Sequence, residues 1–177
     1  MPLYEFEGKR PTVHPNAFVA DTAVLIGDVT IEERASIWFG AVLRADFGPI
    51  VVRAGANVQD NSLVHGPPGL IEIGPGATVG HLCVIHGATL GEEALVANGS
   101  TVLDGARIGA RAMVGAGAVV PPGMEVPDGM LAVGVPAKIK GPLAGTAAEF
   151  WVKVNPGAYQ ELAARYLVDG NVRLVPR

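Results

Sequence analysis

The amino-acid sequence predicts an all-β solenoid, a parallel β-helix of stacked coils followed by a C-terminal α-helical segment. Three observations carry this. Aliphatic residues recur every six positions over more than a hundred residues. A small residue stands four positions after most of them. The 24 glycines and 14 prolines of the 177-residue chain fall at regular intervals, as turns do, rather than in a low-complexity tract.

The aliphatic anchors run Val13, Val19, Leu25, Ile31, Ile37 and Leu43. After one register shift they continue at Val52, Val58 and Val64, and after a second at Ile73, Val79 and Ile85. The series closes with Leu90, Val96, Val102, Ile108, Val114 and Val120. Their small companions include Ala17, Ala23, Ala35, Ala41, Ala56, Ser62, Ala77, Cys83, Ala94, Ser100 and Ala106. Six is a multiple of the strand period of two and not a helical period, so anchor and companion face the same side. The strands of a sandwich recur at roughly 8–12 residues, which disfavours that alternative.

Coils are expected over about residues 13–126, a connecting segment over 127–143 and helical structure over 144–177, all in one domain. The Pro121-Pro122-Gly123 and Val133-Gly134-Val135-Pro136 turns mark the end of the coils. One helix is expected at 144–153, and a second from an Asn155 cap with Pro156 in its first turn. Tyr159, Leu162, Ala163, Tyr166 and Leu167 give the second helix an apolar stripe to lay against the coils.

The net charge of −4 is spread without a basic stripe, and no run of 18 apolar residues occurs, so neither nucleic acid nor a membrane span is expected. The first residues lack the basic and apolar regions of a signal peptide, and a single cysteine forms no internal disulfide; the expected location is the cytoplasm. Cys83 holds a small inward position and is read as a buried structural thiol.

Three of the four histidines lie within 22 residues. His65 follows anchor Val64 and His86 follows anchor Ile85, 21 residues on, which is three residues more than the coil of about 18 implied by the resemblance of the repeat to hexapeptide-repeat β-helix proteins. The two imidazoles therefore stack on adjacent coils about 4.8 Å apart, a separation suited to two ligands of one metal. His81 stands two after Val79, on the preceding face, and does not reach that pair within its own chain. A neighbouring subunit rotated by 120° brings it there, so the pattern predicts a homotrimer with metal sites shared between subunits. Three imidazoles and an open position are what catalytic zinc requires. Arg44 falls in the column of His65 and His86, and Asp60 in that of His81, so an intersubunit Arg44–Asp60 ion pair is expected. Gln59 points to the same crevice, either to orient a water or as a plain polar residue at a bend. His14 is read as a surface residue.

These segments resemble the γ-class carbonic anhydrases and their short-loop bacterial relatives. They are Ile37-Trp38-Phe39-Gly40-Ala41-Val42-Leu43-Arg44-Ala45-Asp46, Asn57-Val58-Gln59-Asp60-Asn61-Ser62, Val64-His65-Gly66, Val79-Gly80-His81-Leu82-Cys83-Val84-Ile85-His86-Gly87 and Val114-Gly115-Ala116-Gly117-Ala118. The resemblance implies a left-handed β-helix of hexapeptide repeats, three to a coil. It implies His65, His81 and His86 as ligands of Zn2+, with Fe2+ or Co2+ as alternatives. Asp46 joins Arg44 and Asp60 at the interface, Gln59 lies beside the bound water, and Tyr159 approaches the metal or simply packs its helix. The implied reaction is reversible hydration of carbon dioxide to bicarbonate by a metal-bound hydroxide. Two departures stand out. Where the family's best-known members carry an acidic proton-shuttle loop, this chain has only Gly66-Pro67-Pro68-Gly69-Leu70-Ile71, with Glu72 beyond, which implies low activity. Asn98 occupies a place that is often apolar, in the column of Asp60 and His81, with its side chain toward the site. The competing readings are a hexapeptide-repeat acyltransferase and a non-catalytic metal-binding or assembly protein.

Overall fold

The computed structural model describes residues 2–168 and Asn171. Three aliphatic columns form its interior. On the first face Leu25, Leu43, Val64, Ile85, Val102 and Val120 stack in parallel register. On the second come Val13, Ile31, Val52, Ile73, Leu90, Ile108 and Val126. On the third come Val19, Ile37, Val58, Val79, Val96, Val114 and Ala132. Together they make the parallel β-helix expected from the repeat, with the left hand that the resemblance implies. The small companions, Cys83 among them, are all buried in the same core, because only a short side chain fits where the chain turns a corner of the prism. Burial pushes the Cys83 thiol up, so it stays protonated.

The coil lengths match the count read from the anchors. The step is 18 residues from Leu25 to Leu43, then 21 to Val64 and 21 again to Ile85, before shrinking to 17 at Val102. Both enlarged coils carry their surplus at the same corner. The strand Val42–Val52 bulges between Ala45 and Ile50, and Ile50 then pairs with Ile71, so the following coil repeats the bulge one level up. The two bulges nest so closely that a Cβ on Gly48 would run into the Gly69 backbone.

Stacking does not stop at residue 126. Met130–Val133, within the expected connector, adds a last parallel strand, and Lys138–Pro142 then folds back on it antiparallel. At the other end Leu3–Tyr4 pairs with Leu25 and Ile26.

The C-terminal segment differs from expectation. One continuous helix spans Ala147–Leu167 with Pro156 inside it, in place of two helices meeting at Asn155. An interior proline costs about 3 kcal/mol in a free helix. Here Val152, Pro156 and Ala163 are buried against the coils, and packing of this kind stabilises a helix more than propensity does. Tyr159, Leu162 and Tyr166 pack on the core as the stripe predicts, whereas Leu167 is exposed. Phe18, Trp38 and Phe39 form an aromatic seat for Tyr166, and Trp38 also takes the edge of Tyr159 at a centroid distance of 5.4 Å. No helix among the described residues is long and apolar enough to cross a membrane.

Ile73 is fully buried on the second face, away from the histidines. Ile73→Ala is expected to destabilise the fold by about 2–5 kcal/mol, while Leu70→Ala at the exposed bulge changes it by less than about 0.5 kcal/mol, both read as urea midpoints.

Candidate metal centre

Two short parallel strands, Leu63–His65 and Val84–His86, place two imidazoles one above the other. Their anchors Val64 and Ile85 are fully buried and paired, which forces the next residue of each strand outward at the same corner. His65 and His86 are themselves register partners, with ring centroids 5.3 Å apart at an interplanar angle of 60°. Each ring has a carboxylate on one nitrogen. His65 Nε2 lies 2.9 Å from Asp46 Oδ1, and His86 Nδ1 lies 2.6 Å from Asp104 Oδ1. Asp46 also takes an ion pair from Arg44, which stands in the same column. Burial alone would raise the Asp46 carboxyl, but the His65 hydrogen bond and the Arg44 charge outweigh it and hold it below the ordinary carboxylate value. Phe47, exposed on the first bulge, lies against His65 at 5.8 Å.

His81 sits on the third face, two residues beyond the buried anchor Val79. Its Nδ1 is 2.9 Å from Asp60 Oδ2, and its Nε2 is 3.4 Å from the Tyr159 hydroxyl. The Trp38 contact and the helix hold Tyr159 in place, so it packs its helix on the coils and at the same time sets its hydroxyl beside His81. Burial, reinforced by the Asp60 charge, raises the Tyr159 phenol and keeps it neutral. Asn98 meets the site through the backbone: its Oδ1 accepts the N–H of His81 at 3.1 Å. Gln59 is buried, and its Nε2 donates to Asn57 Oδ1, whose own amide donates to Thr78 Oγ1. Gln59, His81, Asn98 and Tyr159 share the wall of a cavity of about 360 Å³ with Leu95, Met113 and Trp151.

The structure thus brings His65, His86, Arg44 and Asp46 together at one corner, and His81, Asp60, Gln59, Asn98 and Tyr159 at another. Within one chain Arg44 pairs with Asp46 and Asp60 with His81. Among the described residues of one chain, no three His, Cys, Asp or Glu side chains converge to hold a metal. Asp104 and Asn57 were not singled out from the sequence. Glu72 is bound with Glu32 to Arg53, which their carboxylates hold protonated, and so lies outside the histidine cluster. His14 makes a surface contact with the backbone N–H of Asn16.

The donor chemistry fits a resident metal ion. Each of the three imidazoles has one ring nitrogen on a carboxylate, the arrangement by which metal-binding histidines fix their tautomer, while the second nitrogen of His81 meets the Tyr159 hydroxyl.

No model of a known protein family matches the chain. Curated relatives include carnitine operon protein CaiE of Escherichia coli K12, 39% identical over 93% of this chain and 84% of the relative. A carbonic anhydrase of Geobacillus kaustophilus is 47% identical over 77% of this chain and 76% of its own length. Among solved structures, a hexapeptide transferase family protein from Anaplasma phagocytophilum is 40% identical, covering 93% of this chain and 98% of that one at a TM-score of 0.88. A candidate acetyltransferase from Bacillus cereus is 34% identical over 93% and 96%, with a TM-score of 0.87. The chain therefore belongs to the hexapeptide-repeat transferase family of left-handed β-helix proteins, within which it is similar both to a carbonic anhydrase and to proteins described as transferases.

Proposed function

We propose that the protein is a metal-dependent carbonic anhydrase, interconverting carbon dioxide and bicarbonate at sites shared between the subunits of a homotrimer. The observation that carries this is the placement of three carboxylate-anchored histidines, two in register on one face and the third on the neighbouring face. The 47% identity to a carbonic anhydrase supports the chemistry, and proteins of this family commonly form trimers.

His65 and His86 of one subunit, with His81 of the next, would hold zinc, or ferrous iron or cobalt in its stead. When bound, such an ion supplies the Lewis acidity that makes water a nucleophile near neutral pH. The chain's own residues supply the rest. Asp46 and Asp60 fix the imidazoles of His65 and His81. Gln59, with its amide nitrogen engaged by Asn57, keeps Oε1 to accept a hydrogen bond from a water or from the hydroxyl of bicarbonate and so orient it. Tyr159, neutral and beside His81, offers a hydroxyl from the helix side. Leu95, Met113 and Trp151 give the cavity an apolar wall suited to an uncharged substrate. With no acidic loop after His65, and with Glu72 held by Arg53, proton release relies on solvent and buffer, which makes turnover slow.

The relatives described as transferases favour a second reading, acyl transfer from a coenzyme A thioester. Metal analysis with stopped-flow measurement of carbon dioxide hydration, alongside an acetyl-coenzyme A titration, separates the two. The expected result is one zinc per subunit and hydration stimulated by added buffer. Metal-free protein that binds acetyl-coenzyme A and leaves carbon dioxide untouched would establish the transferase reading.

Sharing of the site has its own test. His65→Ala and His81→Ala are each expected to weaken zinc binding by at least about 100-fold. Refolding the two variants together should restore zinc at roughly a quarter of the interfaces, where an intact His65 and His86 meet an intact His81. A mixture that binds no more zinc than its components would show that the site is not built across subunits.

A further inference from the structure

We propose that Asp104 is a positioning residue of the metal centre, which holds His86 as the Nδ1–H tautomer and thereby assigns Nε2 as its metal-binding atom. This rests on the metal-site reading above and adds a residue that the repeat pattern did not point to. The Asp104 carboxylate accepts the bond from His86 Nδ1 at 2.6 Å, across one coil. A neutral imidazole carries one proton, so a carboxylate that takes the Nδ1–H leaves the Nε2 lone pair unprotonated.

The seat of this carboxylate is built by the coils. Gly87, next to His86, lies in the left-handed region at φ 61°, and a Cβ there would run into Asp104 Oδ1. Gly105, next to Asp104, donates its N–H to Gly87 O at 2.8 Å, and Gly123 donates to Asp104 O at 2.9 Å. The backbone of Asp104 is thus bonded to the coil above it and that of its neighbour Gly105 to the coil below, with the space beside Gly87 left for the side chain.

Fold stability does not account for the pair. The side chains of His86 and Asp104 are 35% and 49% exposed, and an ion pair that open contributes little to folding. A partner that fixes the donor atom of a metal-binding histidine, by contrast, typically changes metal affinity 10- to 100-fold. The other two histidines have their own carboxylates in Asp46 and Asp60, so Asp104 completes one for each ring.

Two readouts on the full-length protein test this without recourse to turnover. Imidazole 15N shifts of zinc-free protein report the His86 tautomer, and chelator competition reports the zinc dissociation constant. In the wild type His86 is expected as Nδ1–H. Asp104→Ala should abolish that preference and weaken zinc about 10- to 100-fold, with the melting temperature of the zinc-free protein unchanged. Asp104→Asn, whose side-chain oxygen still accepts the bond, should retain the tautomer and most of the affinity. An Asp104→Ala protein with the wild-type tautomer, or with wild-type zinc affinity, overturns the assignment. Wild-type protein without zinc affinity overturns the metal centre and this role with it. Zinc binding without carbon dioxide hydration overturns only the proposed reaction, and the Asp104 assignment is then decided by the two readouts as before.

Discussion

Each coil of this chain must offer its hydrogen bonds and its anchors in register to the coils on either side. An anchor one residue out of place would turn its side chain from the core to solvent, because strand side chains alternate. The chain can therefore lengthen a coil only where the surplus leaves all three columns intact. It does so at one corner and does it twice, with the second bulge lying on the first and Gly48 fitted against Gly69. The local rule of in-register stacking thus decides where irregular structure is allowed.

The histidine corner is a product of the same rule. His65 and His86 meet because the enlarged coil between them restores register at Val64 and Ile85 before either imidazole is reached. The protruding bulge that follows Arg44 brings Asp46 and Phe47 to the ring of His65. On the next face, the aromatic seat built by Phe18, Trp38 and Phe39 anchors the helix that carries Tyr159 to His81. One corner relies on strand register and the other on helix packing, so the two groups of histidines are positioned by different physics.

Much of this was legible in the sequence, for a reason particular to solenoids: contacts run between neighbouring coils, so counting residues is nearly the same as measuring distance. The column of Arg44, His65 and His86, the column of Asp60, His81 and Asn98, and the buried positions of the small companions all follow from the count. Asp104 did not, because the shortened coil after Ile85 sets it opposite Gly87, one place beyond the histidine it contacts. The count also turned the Asn98 side chain toward the His81 group, but not that its oxygen would bond the backbone of His81. The unbroken helix through Pro156 was hidden for another reason. Proline carries a strong local signal to stop, and what overrides it is burial against coils far away in the chain.

The strand Lys138–Pro142 lies antiparallel on the final parallel strand and is itself largely exposed. Left bare, the last rung of a parallel ladder is a template on which another chain's coil could continue the stack. A reversed strand bearing Lys138, Lys140 and Pro142 presents instead an edge of the wrong polarity, with positive charge and with one amide hydrogen missing. On that face the short reversal ends the parallel ladder, so a further coil would find no parallel rung to extend.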